Sequence, residues 1–281
     1  MTHIADSPIP APTAESWSFA EAHSPIADGL QQARVEAVQA GLTPVSQGVA
    51  SALTVLAKAV NARTVVEIGT ALGTSALPLL AGMTSDGVLT SIDSEADNQL
   101  PARSFLNAAG YPPSRCRLIA GAPLEILPKL RDGAYDIVFI NGDKLEYVEY
   151  VAAALRLLRP GGLLIIHDVL WYNTVADPGR EGDETIIIRE ALDAVRAADS
   201  YTTTLLTVGN GLLVAVKDCE ATSRRTMAAR VDFHPPGRPS LFSLSPVGRR
   251  CPCRRRPRRW VRRGNRAPGR GRGRHRSAPR R

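Results

Sequence analysis

Cysteine, aromatic side chains and long apolar runs are all scarce in this chain of 281 residues. Its four cysteines, Cys116, Cys219, Cys251 and Cys253, include no second pair at zinc-finger spacing, which argues against both a disulfide framework and a cysteine-built zinc site. No apolar run approaches the roughly 18 residues of a membrane span. The first residues hold no basic segment followed by an apolar core, so a cytoplasmic protein without membrane attachment is expected. Acids are nearly missing from one region only: residues 221–281 contain 20 arginines and one acid, and the remainder has 15 basic against 26 acidic side chains. The formal net charge of +8 therefore averages two unlike materials and does not make the whole chain a nucleic-acid binder.

What is present is organised around Thr64 to Leu77. The β-branched run Thr64-Val65-Val66-Glu67-Ile68 stops at Gly69, and the chain passes Gly73 into a helix-forming segment opened by Thr74 and Ser75. That is a strand, a tight turn and a helix in sequence. Glycines in the turn let backbone N–H groups approach a ligand, and the helix turns its positive end to the same place. Val88 to Asp93 follows as a second strand after the Asp86-Gly87 turn. It ends in an acid about 20 residues beyond the glycines, where such folds hold ribose hydroxyls. The turn reads Gly-Thr-Ala-Leu-Gly with Glu67 before it, a pattern better suited to the cationic S-adenosylmethionine than to a dinucleotide pyrophosphate.

The alternation continues along the chain. Ile26–Gly41 and Pro44–Val60 read as helices, the second with Val45, Val49, Leu53, Leu56 and Val60 on one face, to pack beside the sheet or against another subunit. Glu95–Ala109, a segment from Pro123 to about Leu130, Leu145–Leu158 and Asp183–Ala198 read as further helices, with Asp183 as a cap. Between them Arg117–Ala120, Tyr135–Asn141 and Leu163–Asp168 read as strands, the last two ending in polar residues that should share one edge of the sheet. Tyr201–Thr207 and Leu212–Val216 flank Gly209-Asn210-Gly211, a hairpin signal. Seven strands in this order predict an α/β fold: an open, mostly parallel sheet with an antiparallel C-terminal hairpin at its edge, helices on both faces, and a ligand outside the carboxyl ends of the strands.

Three segments are expected: a mobile arm over residues 1–24, the α/β domain over 25–219, and a disordered Arg/Pro/Gly-rich tail over 220–281. The tail suits nucleic-acid attachment through phosphate neutralisation, although its composition equally resembles an out-of-frame reading of a GC-rich gene.

Glu67-Ile68-Gly69-Thr70, Gly73 to Leu77, Ser91-Ile92-Asp93, Phe139-Ile140-Asn141-Gly142-Asp143-Lys144, Arg159-Pro160-Gly161-Gly162 and Asp168-Val169-Leu170-Trp171 together resemble the small-molecule O-methyltransferases of the catechol and caffeoyl-CoA type. The resemblance covers roughly residues 25–217 and implies a Rossmann-like class I methyltransferase, a homodimer, S-adenosylmethionine as cofactor and a small hydroxylated, aromatic acceptor. It implies that Glu67, Gly69, Thr70, Gly73 and Ser75 surround the methionine end of the cofactor with Asn141 nearby, Asp93 its ribose and the Ala122 backbone its adenine. Lys144 falls where the family places a lysine near the accepting hydroxyl, and Trp171 is a candidate wall of the acceptor pocket.

The family's divalent-cation ligands are an acid opening the Asp-x-Asp-Lys segment and an Asp-Asn pair ending the next strand. Here Asn141, His167 and Asp168 stand in those places, leaving one full carboxylate, a poor set for magnesium, whereas His167 and Asp168 with Asp143 suit zinc or manganese better. Without an ion, Lys144 or His167 has to act as base or electrostatic partner. A cofactor-binding protein that has lost its chemistry, and a nucleic-acid-associated methyltransferase tethered by its basic tail, stand as the alternative readings.

Overall fold

In a computed structural model of the chain, which describes residues 10–26 and 28–219, one seven-stranded sheet carries the fold. Its strands are β1 (Thr64–Ile68), β2 (Val88–Asp93), β3 (Cys116–Ala120), β4 (Tyr135–Ile140), β5 (Leu158–His167), β6 (Tyr201–Leu206) and β7 (Leu212–Lys217). The order is β3-β2-β1-β4-β5-β7-β6. β1 to β5 pair in parallel, and β7 runs antiparallel to both β5 and β6. The expected antiparallel C-terminal hairpin forms that edge of the sheet, with β7 on the inner side against β5 and β6 outermost. The arginine-rich tail, with Cys251, Cys253 and the proposed nucleic-acid attachment, lies outside the described residues.

The central strands are apolar on both faces because helices cover both, and the edge strand β6 is largely exposed. Val65, Leu89, Ile137, Phe139, Leu163 and Ile165 point into one core with helices α3 (Gln47–Ala59) and α4 (Ala76–Gly82). Their alternate neighbours Val66, Ile68, Ile92, Val138, Ile140 and Ile166 build a second core with α7 (Tyr147–Leu157) and α8 (Asp183–Ala197). This period of two is what a sheet buried on both sides requires. Helix α3 places Val49, Ala50, Leu53 and Ala57 on the first core, so its apolar face serves the sheet. Asp183 proves to be the first residue of α8 and not its cap, which is Gly182.

The arm expected to be mobile contains α1, Ala14–Ala22, capped by the Thr13 side chain, which accepts from the Ser16 N–H. None of its residues is buried, so no apolar pattern announced it. Polar hooks hold it instead: the Glu21 carboxylate accepts from the backbone N–H groups of Gly48 and Gly209, and Trp17 Nε1 donates to the Thr207 carbonyl at 3.1 Å.

Strand order reverses between β1 and β4, and the two leave the sheet side by side: Asn141 N–H donates to the Ile68 carbonyl at 2.8 Å. Such a switch point opens a crevice beyond the strand ends. Gly69 sits in it at φ +92°, and a Cβ there would collide with the Asn141 carbonyl oxygen, so only glycine lets the two strand ends approach.

Candidate functional site

Two cavities meet the carboxyl ends of the strands. The first is a cleft of about 390 Å3 whose wall includes Gly69, Asp93, Ala122, Asn141, Asp143 and Glu146. Of the residues expected around a cofactor, Gly69, Asp93, Ala122 and Asn141 reach this wall. Glu67, Thr70, Gly73 and Ser75 are buried behind it.

Asp93 organises the turn above it. One carboxylate oxygen accepts from the Thr70 N–H at 2.8 Å and the other from the Glu95 N–H at 2.9 Å, with Asn98 Nδ2 at 3.2 Å from both. It therefore holds the turn after β1 and opens the helix α5 (Ala96–Ala108) while still facing the cleft. Ser91, Gln99 and Asn98 complete this network. Thr70 Oγ1 lies 2.7 Å from Ser91 Oγ, and Gln99 Nε2 donates to Thr70 Oγ1 at 3.3 Å. Their partners lie on separate strands and helices, so no local spacing marked them. Ala71 and Leu72, in a 3-10 turn, take left-handed φ values of 39° and 60°, strain of the kind that persists where surrounding bonds over-determine a functional turn.

Glu67 is fully buried at the end of β1. Ser75, expected to open the helix as a cap, makes no capping bond and instead donates its hydroxyl to Glu67 Oε1 at 2.6 Å. Glu67 Oε2 makes no close hydrogen bond among the described residues, and the nearby Ser91 hydroxyl favours the carboxylate as Ser75 does. Burial pushes the Glu67 carboxyl up to about 7, so near neutrality it shifts easily between a neutral acid and a carboxylate.

The second cavity, of about 810 Å3, is lined by His167, Asp168, Leu170 and Tyr172 beyond β5, and by Pro44 and Trp17 from the N-terminal segments. Trp171 is not on its wall; Tyr172 takes that place, and Trp171 packs over Lys144. The chain after β5 is pinned to the β6–β7 turn, with Leu170 N–H donating to the Asn210 carbonyl at 2.9 Å and Tyr172 N–H to Asn210 Oδ1 at 2.7 Å. Trp17 and Tyr172 come from opposite ends of the domain, which is why the sequence did not pair them.

Between the cavities lies one connected polar cluster. Asn141 Oδ1 is 2.8 Å from His167 Nδ1, Asp168 Oδ1 is 3.4 Å from the same nitrogen, and Asp168 Oδ2 is 3.2 Å from Lys144 Nζ. An amide oxygen has no proton to give, so His167 carries its proton on Nδ1 and presents Nε2 as acceptor. Burial lowers the His167 pKa to about 4, and the ring is neutral at pH 7. Lys144, 11% exposed in its side chain, rests against the rings of Tyr147 and Trp171 at 5.0 and 5.6 Å. Burial lowers its pKa, opposed by Asp168. Asp168 itself holds a left-handed φ of 59°, which turns the chain back immediately after β5.

The donor set is already engaged within the protein. Both oxygens of Asp168 and the oxygen of Asn141 already face nitrogen atoms of Lys144 and His167. Among the described residues no group of three or more His, Cys, Asp or Glu side chains is placed to hold a metal. The expected metal role of Asn141, His167 and Asp168 does not fit this arrangement. An apolar cavity of about 520 Å3 between α3 and α4 contains no ionisable side chain except Tyr111 and offers no chemistry.

The O-methyltransferase family model matches residues 18–218. A probable O-methyltransferase of Mycobacterium tuberculosis is 39% identical over 211 residues, covering 74% of this chain and 94% of that protein. Among solved structures, a Corynebacterium glutamicum protein superposes with a TM-score of 0.68 at 30% identity, covering 73% of this chain and 96% of that one. The Streptomyces achromogenes O-methyltransferase TomG, involved in tomaymycin synthesis and solved with S-adenosylmethionine, gives 0.67 at 27% identity, covering 74% and 100% of the two chains. An O-methyltransferase from Bacillus cereus, solved with S-adenosylhomocysteine (SAH), gives 0.66 at 26%, covering 73% and 99%.

Proposed function

The chain belongs to the family of S-adenosylmethionine-dependent O-methyltransferases, and from that premise we propose that it methylates a hydroxyl of a small aromatic acceptor held in the pocket beside His167 and Asp168. The observation that carries this reading is the cluster joining the two cavities: Asn141 lines the cleft, His167 and Asp168 line the pocket, and the three are linked side chain to side chain. A methyl group crossing from one cavity to the other passes this cluster.

The cleft fits S-adenosylmethionine by its chemistry. Its wall includes the acids Asp93, Asp143 and Glu146, a set that favours a cationic ligand, and the buried Glu67 comes from the adjoining strand β1. Gly69 and Ala122 offer backbone to it, and Ser75 holds Glu67 in place. When bound, the cofactor supplies a methyl group on a sulfonium, whose carbon–sulfur bond breaks as the carbon–oxygen bond to the acceptor forms. The chain has to align the two partners and favour the acceptor's oxyanion.

A phenol's pKa lies near 10, so an imidazole at about 4 is a poor acceptor for its proton. His167 therefore orients the hydroxyl through Nε2. Burial lowers the Lys144 pKa while Asp168 raises it, and the Lys144 charge lies one carboxylate away from the pocket. The pocket's volume falls within the range of small-molecule sites, and Trp17 and Tyr172 give an aromatic ring surfaces to stack on. A homodimer and cytoplasmic residence accompany this reading. Among the described residues no helix is long and apolar enough to cross a membrane.

The test is incubation of the full chain with methyl-labelled S-adenosylmethionine and pairs of aromatics with and without a hydroxyl, read by mass spectrometry. Label on the hydroxylated member of a pair alone is the expected result. Cofactor binding without label on any acceptor would establish the reading without chemistry instead.

A further inference from the structure

We propose that the Lys144 ammonium is the resident cation of this site and excludes a divalent ion from Asn141, His167 and Asp168. This deepens the proposed function and rests on it for the identity of the site, but not for its test.

The ammonium is held from several sides at once. It lies 3.2 Å from Asp168 Oδ2 and 3.4 Å from the Gly142 carbonyl oxygen, and over the faces of Tyr147 and Trp171. Carboxylate, carbonyl and two π faces together make a site built for a monovalent cation. The same contacts remove the ligands a divalent ion would need. Asp168 is the only carboxylate among the three residues at the metal positions, and one of its oxygens serves the ammonium while the other faces His167 Nδ1. The Asn141 oxygen also faces that nitrogen, and an amide is neutral where a second carboxylate would be needed to offset two positive charges. An ion coordinated by Asp168 would lie next to the ammonium with its charge unscreened, since the Asp168 and Lys144 side chains are only 10% and 11% exposed. The positive charge of the site is thus part of the chain, set behind Asp168 of the pocket wall, and is present whether or not ions are available. The arrangement also fixes geometry: α7 starts with Tyr147, whose hydroxyl donates to the His167 carbonyl at 3.0 Å, so the ring beneath the ammonium is tied to the end of β5.

The experiment is Mn2+ titration of the metal-stripped full chain, followed by the electron paramagnetic resonance signal of free Mn2+ and by the melting temperature. The natural chain should show no saturable binding in the micromolar range, and neither Mn2+ nor EDTA should move its melting temperature. Like charges placed side by side cost several kcal/mol, so the double variant Asn141→Asp with Lys144→Met should bind one Mn2+ ~100-fold more tightly or better, and melt higher with the ion than without. Asn141→Asp alone, keeping the ammonium, should gain much less. One equivalent of Mn2+ bound at micromolar concentration by the natural chain overturns the proposal, and so does equal Mn2+ affinity in the single and double variants. If the double variant does not fold, the titration of the natural chain decides alone. Because binding is read without any acceptor, absence of methyl transfer leaves this result standing.

Discussion

Around the turn after β1, buried carboxylates are satisfied by backbone N–H groups and hydroxyls: Asp93 by Thr70 and Glu95, Glu67 by Ser75. At the ends of β4 and β5, the polar groups answer one another, with Asp168 against Lys144 and Asn141 against His167. The first region is a scaffold of buried carboxylates held by neighbouring backbone and hydroxyl groups. The second is a closed electrostatic circuit, in which changing any member leaves another buried and unpaired. The two regions should therefore fail differently when altered: the first in holding the cofactor, the second in turning it over.

The strongest way to sharpen that contrast is Lys144→Ala. Removing the cation that neutralises Asp168 on the pocket wall leaves a bare carboxylate opposing the developing oxyanion and should lower kcat about 100- to 1,000-fold, while cofactor affinity by calorimetry changes little. A large loss of cofactor affinity would dissolve the distinction between the two regions. The same variant leaves Asp168 buried without its partner and should lose ~3 kcal/mol or more in a urea melt.

Next comes pH. Glu67 has its folded value raised from 4.5 to about 7, so its neutral form is preferred in the folded chain. The associated stability is fully present below pH 4.5 and is lost as pH rises to about 7, beyond which nothing further changes. Compared with Glu67→Gln, the natural protein should lose up to ~3 kcal/mol between pH 4.5 and 8, a difference readable in paired urea melts. Parallel melts of the two proteins across this range would remove Glu67 as a titrating site.

The same substitution addresses ligand binding. Glu67→Gln should weaken S-adenosylmethionine at pH 8 by ~10- to 100-fold, the usual worth of a charge-assisted hydrogen bond, and leave kcat at saturating cofactor nearly unchanged. The smallest effect is expected from Trp17→Ala on the acceptor pocket. It should raise the KM of an aromatic acceptor only several-fold, because an exposed ring contributes ~1 kcal/mol, with kcat and cofactor affinity untouched.

How much of this was readable beforehand differs between the same two regions. Glu67, Gly69 and Asp93 announce themselves because a strand end, a glycine turn and the next strand's acid stand at short fixed spacing, and local sequence carries that geometry. Asn141 and His167 were also legible as polar residues ending apolar strands, and Lys144 through the family resemblance. Their connection was not, since the Lys144–Asp168 and Asn141–His167 contacts bring together residues 24 and 26 positions apart. The helix α1 escaped for a different reason: it is held by Glu21 and Trp17 hydrogen bonds and not by an apolar stripe, and a helix that buries nothing leaves no period to read.

The sequence by itself determined the alternation of strands and helices, the sheet buried on both faces and the end of the sheet where a ligand belongs, because hydrophobic period and turn chemistry act over a few residues. Only the tertiary structure decided that β7 and not β6 pairs with β5, that Tyr172 and Trp17 share a pocket, and that Asp168 spends its charge on Lys144. Those outcomes depend on which distant groups become neighbours and on how far burial withdraws them from water, and neither is set by spacing along the chain.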